Sequence, residues 1–364
     1  MKNPNSILVF TTQLMPTGGI ESHLLEFCRQ MNDNNVSIDL VVINTDIYPA
    51  TSSLYKSYCK NVYFGRQKSS LLKLLWLVKI SLRLRMNRYV SIYTNGQGNS
   101  PGMFVSLVGH KARWIHHHHT AGDKNDQDSW SSGYRNALVK ATKVIACSQR
   151  NARDISTALG RDIDSIPCFS RKIVLDEFKP KSENVRFGYY GRLIPEKGID
   201  LLCKLSEDVS LKNVEFHLWG EGNAYPFSFF SEHRKLNYHG AFNGLDELAS
   251  VVNSIDAFLL LSTHPEGLPI CLLEAMSVGL PWMATDRGGI IDIACDPSLS
   301  TRIISSIKDY ELVRSAIESF ANDIREGKVA KHLQIKQYEE KFSSVSISKR
   351  WKDAFGIVNN ITNN

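Results

Sequence analysis

The sequence predicts an α/β protein made of two doubly wound parallel-sheet domains. Three observations carry that reading: short apolar runs alternate with helical stretches along the whole chain, the runs fall into two sets, and Gly-containing turns follow several of them. At 364 residues the chain is long enough for about two cores. Its 43% hydrophobic and 22% charged residues are those of an ordinary globular protein rather than a disordered one.

In the first half, strands are expected at Ile7 to Thr11, Ser37 to Ile43, Asn61 to Phe64, Tyr89 to Thr94, Arg113 to His117 and Thr142 to Ala146, with a short Ser165-Ile166. In the second half they are expected at Arg186 to Tyr190, Glu215 to Trp219, Leu236 to His239, Ala257 to Leu261 and Pro281 to Thr285. The polar stretch Asp176 to Asn184, broken by Pro180, reads as the linker, giving an N-terminal domain over 1–178 and a C-terminal one over 179–345. A final helix at about 346–362, with Trp351 and Phe355, follows the charged stretch Lys336 to Lys341. Open parallel sheets bind ligands at the carboxyl ends of their strands, so two such domains would face each other across a cleft.

No signal peptide is visible, and nothing approaches the roughly 20 apolar residues of a membrane span. The seven cysteines are scattered with no Cys-x2-Cys pair, so neither a zinc knuckle nor a disulfide scaffold is indicated, and a reducing cytoplasm is the expected setting. The net charge of +6 is modest. Between Arg66 and Arg88, however, Arg66, Lys68, Lys73, Lys79, Arg83, Arg85 and Arg88 interleave with leucines and Trp76, with no acidic residue. Two partners suit such a helix, the inner face of an anionic membrane and its own sheet, and surplus cations do not choose between them.

The chemistry gathers around Glu266 and Glu274. The apolar run Ala257 to Leu261 reads as a buried strand, Gly267 loosens the loop, and Pro269 suits a helix start. Glu266 is thus placed in the loop and Glu274 about one turn into the helix, where backbone amides favour an anion. Carboxylates beside an anion-binding helix start suit a phosphorylated sugar, the acids taking hydroxyl hydrogens and the amides the phosphate. Ser262-x3-Glu266-Gly267-Leu268-x5-Glu274-Ala275-Met276-x2-Gly279-x-Pro281 closely resembles the signature of retaining nucleotide-sugar glycosyltransferases of the GT-B fold, in particular glycosyltransferase family 4. Gly191-Arg192-Leu193-x2-Glu196-Lys197-Gly198 looks like a second segment of that family.

The resemblance implies two Rossmann-like domains and a last helix that returns to the first. It gives Glu274 the ribose hydroxyls, Glu266 the donor sugar's hydroxyls, and Arg192 with Lys197 the diphosphate. Two fixed cations can stabilise the charge that grows on the leaving diphosphate without a metal. No cofactor is expected beyond a UDP- or GDP-sugar substrate, and the partners are that donor and a glycan or lipid-linked acceptor, with no nucleic acid. In this family the leaving phosphate takes the acceptor's proton on the same face, which retains the anomeric configuration. Gly18-Gly19-Ile20-Glu21 resembles the loop that approaches the donor, Gly220 the turn after the second C-domain strand, and Gly240 the turn beside the base.

Trp114 to Gly122 contains four consecutive histidines. Adjacent strand residues face opposite ways, so all four cannot converge on one ion. The resemblance implies one His at the end of this strand that touches the donor sugar; alignment on the turn at Thr120 makes His119 the best candidate, with His117 on the same face as the reserve and His116 and His118 packing elsewhere or facing solvent. The chain departs from the family at Asp292, where Gly288-Gly289 is usually followed by Glu, and at Ile166 to Ser170, where many members carry Pro-Asn-Gly-x-Asp. Asp126-Gln127-Asp128 spells a metal motif of the other large transferase fold but is expected in a polar loop rather than after a buried strand. A sugar-nucleotide epimerase or phosphorylase and a non-enzymatic nucleotide-sugar-binding module are the alternative readings. The first would turn over donor without acceptor, and the second would bind donor without turnover.

Overall fold

The computed structural model describes residues 5–15, 18–43, 48–67, 69–109, 111–175, 183–242, 244–294 and 300–357. The chain divides into two units, Met1–Phe169 with Ser344–Asn364, and Ser170–Ser343. Each holds one parallel sheet.

In the first unit the strands are β1 (Ser6–Thr11), β2 (Ser37–Val42), β3 (Asn61–Phe64), β4 (Ser91–Asn95), β5 (Arg113–His118), β6 (Lys143–Ala146) and β7 (Asp164–Ser165). They lie in the order β3-β2-β1-β4-β5-β6-β7. Strand β1 is central and runs parallel to β2 and β4, its residues Ile7 to Phe10 fully buried, as a strand covered on both faces must be. One face is filled by Phe27, Tyr93, Phe169, Trp351 and Phe355, the other by Phe10, Leu77, Ile80, Leu84 and Phe104. Trp351 and Phe355 lie on the helix Ser344–Phe355, which packs on the helix Gly19–Asp33 and on β5 of this unit.

The second unit contains β8 (Val185–Tyr190), β9 (Val214–Trp219), β10 (Leu236–Tyr238), β11 (Ala257–Leu260), β12 (Trp282–Thr285) and β13 (Thr301–Ile304) in the order β10-β9-β8-β11-β12-β13. In both units the strand order reverses beside the first strand of the unit, which sets a switch point at the carboxyl ends of β1 and β4, and of β8 and β11.

Two differences from the sequence expectation have physical causes. Edge strand β13 lacks a continuous apolar run: Arg302 and Ile303 are half-buried, and only its two ends are buried. The linker expected at 176–184 lies largely outside the described residues, and the division comes earlier, after Phe169, because the next residues already bond within the second unit. Ser170 Oγ is 3.2 Å from the Tyr338 hydroxyl and Arg171 pairs with Glu274.

Candidate functional site

The second unit assembles its charged groups on two loops and one helix. After β11, the chain turns through Ser262 to Pro269 and enters the helix Ile270–Ser277, with Pro269 at its N-cap. After β8, Gly191 to Ile194 lead into a single 3-10 turn, Pro195–Lys197, closed by Gly198. The loops are stitched together: Thr263 N–H donates to the Glu196 carbonyl at 2.8 Å, and the His264 ring reaches the same oxygen at 3.2 Å.

This stitching puts Lys197 Nζ 2.6 Å from Glu266 Oε1. The Ser262 hydroxyl donates to the same carboxylate oxygen, and His264 Nε2 stands 4.0 Å away. Glu266 is only 7% exposed, so it is a buried, paired carboxylate. Its backbone is braced from behind: Gly289 N–H donates to the Glu266 carbonyl at 2.9 Å, and Gly288 sits in the left-handed region at φ 54°, so close that a Cβ there would stand 2.0 Å from that carbonyl oxygen. The Gly288-Gly289 pair therefore serves to shape the Glu266 loop, whatever follows it in sequence.

Glu274 is also buried, at 5% exposure, on the helix Ile270–Ser277. Its partner is Arg171, with Nη2 at 3.3 Å from Oε1. Burial pushes the Glu274 carboxyl up to about 7 and Arg171 only partly offsets it. Between the two acids lies Cys271, pushed up to about 12 by burial while within Coulomb reach of Lys197, Glu274 and Glu266. The hydroxyl of Tyr189 feels Glu266 and Arg192, and that of Tyr190 feels Glu274 and Arg171. The acids and three cations thus form one neighbourhood at the carboxyl ends of β8 and β11.

Of the cations, Lys197 is tied to an acid. Arg192 is exposed, its carbonyl accepting from the Tyr189 hydroxyl at 3.0 Å and its guanidinium unpaired among the described residues. Arg171 is the functional candidate that sequence reasoning missed. It lies within 1–178, the stretch assigned to the first domain, and only the fold brings it to Glu274 in the second unit. Gly191, Gly220 and Gly240 meet at the ends of adjacent strands, where Gly220 N–H donates to the Gly240 carbonyl at 2.8 Å and a Cβ on Gly220 would stand 1.9 Å from the Gly191 carbonyl oxygen. Gly267 is half-buried and Leu268 buried in the loop between the two acids.

Gly18, Gly19 and His119 belong to the first unit. Gly19 opens the helix Gly19–Asp33, Ser22 N–H donates to the Gly18 carbonyl at 3.0 Å, and Pro16 and Thr17 lie outside the described residues. The four histidines split by strand parity. His116 and His118 face one side and share the Tyr134 hydroxyl, each at 2.8 Å. His117 and His119 face the other, their ring centroids 4.0 Å apart. His116 and His118 were expected to pack elsewhere or face solvent, and both are buried in a polar network. His119 Nε2 is buried with no hydrogen-bond partner among the described residues.

Asp126 and Asp128 are not in a loop, as expected, but on a short helix, Lys124–Ser129, capped by Asp123. Asp126 bonds His118 at 2.8 Å and Thr120 at 2.7 Å, whereas Asp128 pairs with Lys124 at 2.7 Å. Burial raises the Asp126 carboxyl, but the hydrogen bond and charge of His118, with Thr120 and Gln97, outweigh it and hold the group well below the carboxylate range. An open depression lined by Asn32, Ser37, Cys59 and Lys60 lies at the amino ends of β2 and β3, the wrong end of a parallel sheet for this chemistry.

Residues 171–341 match the family of glycosyl transferases group 1. The chain is 21% identical over 305 residues to the putative glycosyltransferase EpsF of Bacillus subtilis (strain 168), covering 75% of this chain and 77% of that one. It is 22% identical over 272 residues to the poly(ribitol-phosphate) alpha-N-acetylglucosaminyltransferase of Staphylococcus aureus (strain COL), covering 72% of this chain and 54% of the relative. Among solved structures, HepE of Anabaena in complex with UDP and glucose superposes with a TM-score of 0.75 at 17% identity, covering 97% of this chain and 100% of HepE. The protein has the GT-B fold of two parallel-sheet α/β domains, and its second unit carries a glycosyltransferase domain, which makes it a transferase.

Proposed function

We propose that this protein is a retaining glycosyltransferase of the family 4 kind that moves a hexose from a UDP- or GDP-sugar to a hydroxyl of a glycan, lipid-linked on the cytoplasmic face of a membrane, in the making of a bacterial surface polysaccharide. The observation that carries the reading is the buried Lys197–Glu266 pair beside the Arg171–Glu274 pair. A donor diphosphate attracts Lys197 and Arg192, which frees Glu266 to accept the sugar's hydroxyls while Glu274 accepts those of the ribose. Charge that develops on the leaving diphosphate meets fixed cations, so the transfer step needs no metal. His119 Nε2 supplies a hydrogen bond to the sugar. The leaving phosphate takes the acceptor's proton as the new bond forms on the same face. The names of the relatives support this reading: one is an alpha-N-acetylglucosaminyltransferase acting on a poly(ribitol-phosphate), and HepE was solved with UDP and glucose. Proton NMR of the product tests it, because an inverted anomeric centre defeats retention. Turnover that requires added Mg²⁺ or Mn²⁺ defeats metal independence, and a thermal shift with GDP but not UDP fixes the base.

The membrane contact has its own observation. The helix Ser70–Arg85 buries Leu77, Ile80 and Leu84 in the sheet, yet Leu71, Leu72, Leu75 and Leu82 on its other sides are each more than half exposed, beside exposed Lys79, Arg83 and Arg85. Packing on its own sheet thus accounts for one face only, and the exposed leucines with adjacent cations suit an anionic bilayer. No helix among the described residues is long and apolar enough to cross a membrane. Flotation with anionic liposomes, lost on changing Lys73, Lys79, Arg83 and Arg85 to Glu, is the expected result, and unchanged flotation removes the contact.

A further inference from the structure

His117 and His119, on the face of β5 and its end turned away from Tyr134, do not stand alone. Cys147, the residue after β6, and Cys168, three residues beyond β7, come to the same point, and the four ligand atoms of His117, His119, Cys147 and Cys168 all lie within 4.8 Å of one another. Four of the six separations are 3.5 Å from Cys147 Sγ to His117 Nε2, 3.7 Å from Cys147 Sγ to His119 Nδ1, 3.7 Å from Cys168 Sγ to His119 Nδ1, and 3.3 Å between the sulfurs. A tetrahedron with Zn–S of about 2.3 Å and Zn–N of about 2.0 Å has edges of roughly 3.8 Å between sulfurs and 3.5 Å between sulfur and nitrogen. These four distances match the corresponding edges to within about half an ångström, and the other two are no longer than 4.8 Å. Cys147 Sγ also lies 3.4 Å from the His118 carbonyl oxygen.

The surroundings are those of a metal ligand set. His117 Nδ1 is 3.0 Å from the Tyr93 hydroxyl, which is 3.3 Å from His23 Nε2, and His23 Nδ1 accepts from the Phe169 amide at 2.9 Å. The last bond leaves the His23 proton on Nε2, pointing at Tyr93. The tyrosine oxygen has two lone pairs and can also accept from His117 Nδ1–H, the tautomer that presents a bare Nε2 to the cysteines. His117, Cys147 and Cys168 are buried, so the pairs are shielded from bulk water.

We infer that His117 Nε2, His119 Nδ1, Cys147 Sγ and Cys168 Sγ form a closed, four-ligand site for a zinc ion in the first unit. Binding exchanges the two thiol protons for the divalent cation, leaving a neutral His₂Cys₂ centre. With four protein ligands no coordination position is left open, so the ion is structural. It fastens the carboxyl ends of β5 and β6 to the segment that leaves the unit at Phe169, and by occupying His119 Nδ1 it fixes the proton on Nε2. This centre is distinct from the diphosphate chemistry of the second unit.

The test uses the full chain prepared without a polyhistidine tag, equilibrated with zinc and desalted. Elemental analysis is expected to return about one zinc per chain, falling several-fold in Cys147→Ser and in Cys168→Ser. The unmutated protein loaded with Co²⁺ instead should show thiolate-to-cobalt charge-transfer bands and the intense visible bands of tetrahedral cobalt, and should melt lower once stripped of metal. Either a zinc-free protein without those bands, or mass spectrometry showing a Cys147–Cys168 disulfide in the freshly isolated chain, overturns the inference. Full zinc retention by both serine variants does the same. None of these readouts depends on glycosyl transfer.

Discussion

Replacing Glu274 by Gln separates what the carboxyl costs from what it does. The group ionises near 7 in the folded chain, against an ordinary value of 4.5, because burial outweighs the attraction of Arg171. The folded pKa is raised, so stability is full below about 4.5, declines as pH rises because the unfolded chain ionises first, and levels off above about 7. That difference is worth about 3 kcal/mol at pH 8. Glutamine keeps the shape and removes the titration, and the attraction of Arg171, 3.3 Å from Oε1, is already contained in the net shift, so nothing further is subtracted for it. The net expectation is a variant more stable than the parent by about 3 kcal/mol at pH 8, or roughly 6–12 °C in Tm for a unit of this size. At pH 5 the two should melt nearly together. Thermal unfolding by circular dichroism at both pH values measures it, alongside a loss of the UDP-induced shift in the variant. Equal differences at pH 5 and pH 8 would refute the reasoning, since Glu274 would then not be held protonated by its surroundings.

Three further outcomes follow from the same geometry. Lys197→Met leaves Glu266 buried without its cation and should cost about 3–5 kcal/mol of stability and lower donor turnover by about 10²-fold or more, as read by urea unfolding and by release of nucleoside diphosphate. Gly288→Ala places a Cβ 2.0 Å from the Glu266 carbonyl oxygen at φ 54°, so the loop must move; backbone strain alone costs about 1–2 kcal/mol, and the donor-induced thermal shift should vanish. Trp351→Ala, which empties a fully buried position against Phe27 and Tyr93, should destabilise the first unit by about 3–5 kcal/mol while donor binding to the second persists, as isothermal titration with UDP would show.

Much of this was legible in the sequence because it is local. Parallel strands buried on both faces read as continuous apolar runs, which is why β1 and β11 stand out and the half-buried edge strand β13 does not. Glu266 and Glu274 stand out because a loop and a helix start fix their spacing. The partners that the fold supplies from afar were not legible: Arg171 meets Glu274 across 103 positions. Cys147 and Cys168 meet His119 across 28 and 49. Reasoning from strand parity correctly divides the histidines into two faces, but periodicity within one strand says nothing of what a neighbouring strand end or a following loop brings to either face. The aspartates at 126 and 128 show the converse. Their spelling suggests a shared ion, and the helix they occupy sends one to His118 and the other to Lys124.

The charge balance of the second unit ties these pieces to the proposed reaction. Three cations, Arg171, Arg192 and Lys197, share one neighbourhood with two carboxylates, and one of those ionises only near 7. The surplus is therefore between one and two positive charges around neutral pH: Lys197 and Arg171 are each paired with an acid, whereas Arg192 is exposed and unpaired among the described residues. A leaving nucleoside diphosphate gains negative charge as the glycosidic bond breaks, which favours a site that already carries a positive excess before the reaction starts. On the proposed reading, ribose hydroxyls that engage Glu274 favour its ionised form, which lowers the surplus, and the bound diphosphate takes up the positive charge that remains. On that reading, donor affinity and the ionisation of Glu274 are linked: binding lowers the pKa of Glu274, and affinity rises with pH until the group is ionised.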